Sequence, residues 1–218
     1  MRILFAAFLL ILSAFGTLNA QTPAVRTPAK TNVRPEPTRA PLAAEPFDRA
    51  DVKTMAAQCV TLDTEKGRID IELFPESARE SVRNFLNLAS TGMFDTTTFS
   101  RVVPDFVIQS GDLYTREAKV TREIGLRARR TVPDEPNKIL HQRGIVSMAR
   151  GDDANTATTN FFILLAAAPY LDGKFAAFGR VTKGMDVVDT INKMQVAEER
   201  PDKPVRIKKA IVAACAAP

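Results

Sequence analysis

The sequence predicts a mostly-β domain, an antiparallel barrel or sandwich capped by two α-helices. Three observations predict it. Short runs of alternating apolar and polar residues recur from Cys59 to Cys215, only two stretches among them carry helical spacing, and no strand–helix–strand rhythm appears.

The elements follow in order. CVTLDT and IDIELF alternate around Lys66-Gly67, the pattern of a hairpin. In PESARESVRNFLNLASTG, Val82, Phe85, Leu86 and Ala89 recur at helical spacing, with Pro75 and Ser77 ahead and Gly92 just past the end. An amphipathic helix with that stripe in the core is expected. TTFSRVV and FVIQSGD read as strands separated by Pro104-Asp105, and GIVSMA, FFILLA and FAAFGRVT as three more. A second helix is expected from Met185 to about Met194, and VRIKKAIVAAC as the last strand. The stretch from Leu113 to Gly144 has no clear period and is expected to be a long loop.

The N-terminal part has a different character. Arg2 precedes an apolar run from Ile3 to Phe15, then small and polar residues lead to Leu18-Asn19-Ala20. This is the layout of a signal peptide over residues 1–20, cleaved after Ala20. The run is short of the roughly 20 residues that a spanning helix needs, so no stable membrane span is expected after cleavage. The protein is expected to be periplasmic or otherwise exported. Residues 21–50 hold Pro23, Pro28, Pro35, Pro37, Pro41 and Pro46 among Ala, Thr and Arg, the composition of a disordered tether. Residues 51–218 remain as the domain.

Several function classes are excluded on composition. The net charge is +5, and Arg116, Lys119, Arg122, Arg127, Arg129 and Arg130 concentrate it in the long loop. A solvated face accounts for such a run, and export argues against a nucleic-acid partner. The single histidine, His141, lies in the same loop and reads as a surface residue, which leaves a Ser-His-Asp or Cys-His hydrolase without a placed base. Two distant cysteines and one histidine give no metal-ligand spacing, and no Gly-rich phosphate or dinucleotide loop is present. Neither a metal nor a cofactor is expected. The residue pattern alone therefore leaves an exported β-domain without an assigned activity.

FSRVVPDFVIQSGD, Phe99 to Asp112, closely resembles the signature of the cyclophilins, in which an arginine two residues after a phenylalanine precedes a strand carrying an aromatic and a glutamine. ELFPESARESVRNFLNLA before it, and GIVSMARGDDANTATTNFFI and LDGKFAAFGRVTKGMDVVDTI after it, follow in the family's order and together span Val60 to Ile191. Export and the MAR version of the central motif resemble the bacterial, periplasmic branch. The resemblance implies a closed eight-stranded antiparallel barrel capped by two helices. It also implies a monomeric peptidyl-prolyl cis-trans isomerase that acts on proline-containing polypeptides without a cofactor. Rotation makes and cuts no bond, so the missing acid–base pair fits that activity.

Carried over residue by residue, Arg101 is the catalytic guanidinium, and Phe106, Val107, Phe162 and Leu171 line a proline pocket. Gln109 and Asn160 help hold Arg101 and the substrate. The backbone at Ala149 and Arg150 binds the substrate chain, and Tyr170 and Phe175 form the rim. The sequence departs from better-known members at Ser100 for His, Val107 for Met, Asn160 for Gln, Tyr170 for Trp and Phe175 for His. Asn160 is shorter and reaches less far toward Arg101, so a weakly active or inactive scaffold for proline-containing chains is the alternative. The resemblance also makes the first and last strands neighbours, with Cys59 and Cys215 at adjoining ends. Register decides between a disulfide and two separate thiols.

Overall fold

The structure is a computed structural model and describes residues 43–215. The expected signal peptide and residues 21–42 of the expected tether lie outside the described residues. Alternation sets the first strands: β1 (Gln58–Thr64) and β2 (Gly67–Leu73) pair antiparallel from Cys59↔Glu72 to Thr64↔Gly67. They bury Val60, Leu62, Ile69 and Ile71 on one face. Just before them, α1 (Val52–Ala56) is a single turn capped by the Asp51 side chain, which accepts the Thr54 N–H.

The first expected amphipathic helix is α2 (Arg79–Ser90), whose Phe85 ring meets Phe94, Phe161 and Phe178 at centroid distances of 5.0–5.2 Å. These rings form the centre of the core. The helix start carries no local side-chain cap. Glu135 supplies one from across the chain, its carboxylate accepting the Glu80 and Ser81 N–H groups at 2.9 and 2.8 Å.

The remaining strands are β3 (Arg101–Val103), β4 (Val107–Ser110), β5 (Ile145–Met148), β6 (Phe161–Leu164) and β7 (Ala177–Lys183). Helix α3 (Arg122–Arg127) falls between β4 and β5, and α4 (Met185–Asn192) follows β7. Two-residue strands β8 (Val196–Ala197) and β9 (Arg200–Pro201) make a small hairpin before β10 (Ile207–Ala214). Eight strands form one antiparallel sheet in the order β10-β1-β2-β7-β5-β6-β4-β3. The sheet wraps the core, with α2 against β10 and β7 and α4 against β2, β3 and β4.

Three expectations are corrected. The eight-stranded sheet forms, but its ladder stays open between β3 and β10, where Thr98↔Arg206 makes an isolated bridge. Strand β3 has three residues and stops just before Pro104, and the chain ahead of it turns through Thr96 at φ +63. Single backbone bonds, such as Phe99 N–H to Val205 O at 2.9 Å, span that seam in place of a ladder.

The stretch from Leu113 to Gly144 is not bare loop, since it contains a 3-10 turn at Leu113–Thr115 and helix α3. Its arginines are not all solvated either. Arg127 is 2% exposed and donates to Glu45 and Asn84.

The tether boundary at residue 50 also moves. Glu45 bridges Arg127 and Arg130 at 2.6 and 3.0 Å, and Phe47 and Ala50 carbonyls accept from Arg83, so the domain's contacts begin near Glu45.

Candidate functional site

The site grows from one row of cross-strand neighbours. Arg101 pairs with Gln109, Gln109 with Phe162, Phe162 with Ser147, and Ser147 with Ala177, across β3, β4, β6, β5 and β7. Strand residues alternate faces, so the flanking row of Val102, Ile108, Ile163 and Val146 points into the core. The Arg101 row points the other way. Next to it on the same face run Val103, Val107 and Leu164, and these strands therefore bury both faces. A second apolar cluster, separate from the main core, gathers Val107, Phe162, Leu164 and Leu171 there.

Over this face opens a cavity of about 170 Å³. Phe106, Val107, Phe162 and Leu171 supply its apolar wall, and Arg101 and Gln109 its polar edge. Ala149, Arg150 and Phe175 complete the lining. Of the residues singled out in the sequence, Asn160 and Tyr170 stand outside it. Tyr170 is 59% exposed beyond Phe106, ring centroids 6.0 Å apart, which puts it at an open margin.

Phe106 sits at the β3–β4 turn and is aimed by two anchors. Leu165 N–H donates to its carbonyl at 2.7 Å, and Asn192 of α4 donates to the Val103 and Val107 carbonyls while accepting Asp105 N–H. Leu171 and Tyr170 ride on a 3-10 turn at Pro169–Leu171. Phe175 meets Phe162 edge-on at 6.1 Å and carries the Arg150 guanidinium 4.7 Å above its ring. Arg150 also lies 3.2 Å from the Asp134 carboxylate and donates to the carbonyls of Gly151, Asp152 and Lys174. Its side chain thus clamps the loop beside the cavity. The Ala149 N–H is spent on Asn160 O at 3.0 Å, so its carbonyl is what it offers a bound chain.

Electrostatically the cavity edge is defined by Arg101. Its Nη1 donates to Gln109 Oε1 at 3.4 Å and its Nε to Glu199 Oε2 at 2.7 Å. Among the described residues no hydrogen bond joins Asn160 to Arg101. The site can therefore present a fixed cation beside an apolar pocket large enough for a small ring.

Sequence reading missed three contributors. Glu199 belongs to the β8–β9 hairpin, too short to leave a period. Asn192 ends α4 and carried no signal for its reach across to β3 and β4. His141 is corrected from surface to core: it is 1% exposed, with Nδ1 3.1 Å from Asp172 Oδ1 and Nε2 3.0 Å from Ser147 Oγ. These three residue types suit hydrolysis, but Ser147 is fully buried, so the set acts as an internal brace. Cys59 and Cys215 are joined by a disulfide at the β1–β10 edge, Cα atoms 4.9 Å apart.

Comparison with known proteins bears on this geometry. The family model "Cyclophilin type peptidyl-prolyl cis-trans isomerase/CLD" matches residues 59–212. The peptidyl-prolyl cis-trans isomerase ppi1 of Schizosaccharomyces pombe is 40% identical over 155 residues, 70% of this chain and 97% of that protein. The isomerase cypE of Dictyostelium discoideum is 38% identical over 72% of this chain and 98% of its own length. A cyclophilin-type isomerase of Cryptosporidium parvum, crystallised in the presence of the dipeptide Ala-Pro, superposes with a TM-score of 0.63 at 26% identity, over 72% of this chain and 99% of that one. These relatives are eukaryotic. Matched over residues 59–212, which hold every residue lining the cavity, the chain belongs to the family of cyclophilin-type peptidyl-prolyl cis-trans isomerases.

Proposed function

We propose that this protein rotates X-Pro peptide bonds in other polypeptides, with Arg101 as the catalytic donor. The observation that carries the proposal is the guanidinium at the edge of a cavity whose wall is Phe106, Val107, Phe162 and Leu171. Amide resonance sets a barrier of about 18–20 kcal/mol to rotation. As the bond twists, the prolyl nitrogen becomes pyramidal and regains its lone pair, and a donor placed there stabilises the twisted form more than either planar one. Arg101 stays protonated and offers N–H groups in a fixed plane. The apolar wall holds the proline ring while the preceding residue turns. Gln109 steadies the guanidinium, and the Ala149 carbonyl with the adjoining Arg150 backbone aligns the chain. An assay of cis-to-trans conversion on an X-Pro tetrapeptide tests the reading: acceleration above the uncatalysed rate is expected, and none would overturn it.

The clients in this reading are exported, proline-containing polypeptides, and the protein acts in the periplasm or an equivalent compartment. Two features support this. Residues 1–20 have the layout of a signal peptide, and a disulfide such as Cys59–Cys215 is typical of proteins in oxidising compartments and rare in cytosolic ones. No helix among the described residues is long and apolar enough to cross a membrane. N-terminal sequencing of the exported protein is expected to begin at Gln21, and recovery of Met1 would overturn cleavage. A scaffold that binds proline-containing chains with little turnover is the second reading, favoured by the absence of a bond from Asn160 to Arg101. Peptide binding without rate acceleration would select it.

A further inference from the structure

Arg101 needs an orienting partner, because a half-exposed guanidinium on a long side chain samples many rotamers unless its donors are tied. Gln109 provides a weak tie: 3.4 Å lies at the outer end of hydrogen-bond range. Asn160 provides none. The short contact is to Glu199, at 2.7 Å, which is the length of a charge-assisted bond. It takes the Nε edge of the guanidinium, so the Nη donors remain for Gln109 and for the cavity that Arg101 lines.

The way Glu199 is held points in the same direction. Strands β8 and β9 are joined by a two-residue turn, Glu198-Glu199, with φ +48 and +64. Both central residues of such a turn lie in the left-handed region, where glycine and asparagine are favoured and a glutamate is strained. The turn is nevertheless fixed, since Glu199 O accepts the Val102 N–H at 2.8 Å, one residue from Arg101. Strain kept beside a functional group is more readily explained by that group's needs than by stability. Stability gains little from the pair itself, as its side chains are 42% and 48% exposed and screened by water.

We infer that Glu199 is a positioning residue for Arg101, aiming its guanidinium from the hairpin in place of the amide reach that Asn160 lacks. The inference rests on Arg101 being the catalytic donor. It assigns the β8–β9 hairpin a part in isomerisation through Arg101 alone, without contact to the substrate.

The test compares the full-length protein with Glu199→Gly, Glu199→Gln, Glu199→Gly combined with Asn160→Gln, and Arg101→Ala as reference. Readouts are kcat and KM on an X-Pro tetrapeptide, Tm, and the Nε–H resonance of Arg101. Glu199→Gly is expected to lower kcat about three- to tenfold, with KM changed less than about twofold, because misorientation acts on the transition state. Its Tm is expected to hold or rise, since glycine relaxes the left-handed turn. The Arg101 Nε–H signal should shift as its acceptor is lost, Glu199→Gln should be intermediate, and added Asn160→Gln should recover part of the lost kcat. Unchanged or raised kcat in Glu199→Gly, or a loss that tracks a fall in Tm, would overturn the inference. Failure of Asn160→Gln to recover activity would overturn the replacement of its reach. If Arg101→Ala itself keeps full activity, the catalytic assignment falls instead, a result distinct from an impaired Arg101→Ala beside an unimpaired Glu199→Gly.

Discussion

Arg101 and Gln109 face each other across the β3–β4 ladder, the guanidinium Nη1 3.4 Å from the amide Oε1. A cross-strand pair of this kind fixes which way the arginine leaves the sheet, and the Phe162 side of Gln109 extends the same row into the cavity wall. Arg101→Ala is expected to lower the isomerisation rate at least about tenfold, or about 1.4 kcal/mol of transition-state stabilisation. The side chain is half-exposed and outside the core, so the circular dichroism spectrum should not change. Wild-type turnover by a correctly folded Arg101→Ala would sink the assignment.

His141 makes a different prediction because it is buried. Its ring ties Ser147, in the Arg101 row, to Asp172, the residue after Leu171 of the cavity wall. The Asp172 carboxylate accepts the His141 N–H as well, at 2.7 Å. His141→Ala would leave both partners without the ring and open a void, at a cost of about 2–4 kcal/mol. The turn carrying Leu171 and Tyr170 should loosen, raising KM for a peptide more than it lowers kcat. Ser147→Ala removes one bond and should cost about 1 kcal/mol. Urea titrations beside peptide titrations measure both effects, and a His141→Ala protein with wild-type stability would show that the brace is idle.

How far these features could be read from sequence depends on the range of the interactions involved. Alternation in IDIELF and the 3.6-residue stripe of Val82, Phe85, Leu86 and Ala89 are local, and β2 and α2 formed where those patterns lie. The cluster of Phe106, Val107, Phe162 and Leu171 was legible through an ordered motif, not through physics, because burial on both sheet faces erases alternation in FFIL. Glu135 capping α2 from 54 residues away left no local signal, and neither did Asn192 bonding the β3–β4 turn or His141 turning inward. The arginines between Leu113 and Gly144 misled for the same reason. Charge suggests solvent until a partner is known, and the partner of Arg127 is Glu45, in a stretch whose prolines suggest disorder.

The disulfide between Cys59 and Cys215 spans 156 residues and ties the first strand of the sheet to the last. The chain-entropy account gives about 5 kcal/mol for closing so long a loop, and measured values more often fall at 2–4 kcal/mol. Replacing both cysteines by alanine is therefore expected to lower stability by about 2–4 kcal/mol with the sheet retained, because Cys59 and Ala213 remain paired through the backbone. Denaturant unfolding of the oxidised protein against the double variant measures it. Two alkylatable thiols in protein trapped before lysis would show that the bond does not form where the protein works.

The segment ahead of α1 yields the last prediction. Glu45 is 10% exposed and satisfies Arg127, itself 2% exposed, while Phe47 N–H donates to Asn87 Oδ1 at 2.7 Å and Arg83 reaches the Phe47 carbonyl at 2.6 Å. Removing one member of a buried ion pair strands the other charge, at a cost of about 3–5 kcal/mol. A protein beginning at Pro41 keeps every one of these bonds and should be as stable as the full-length chain. One beginning at Asp51 loses Glu45, Phe47 and Asp48 together, strands Arg127 against Asn84 alone, and should lose about 3 kcal/mol or more. Glu45→Ala in the longer form should reproduce most of that loss, because Arg83 keeps the Glu80 carboxylate when the strap is gone, whereas Arg127 is left with the neutral Asn84 amide. Equal denaturation midpoints for the Pro41 and Asp51 forms would mean that residues 43–50 rest on α2 without holding it, and the boundary of the folded unit would return to residue 51.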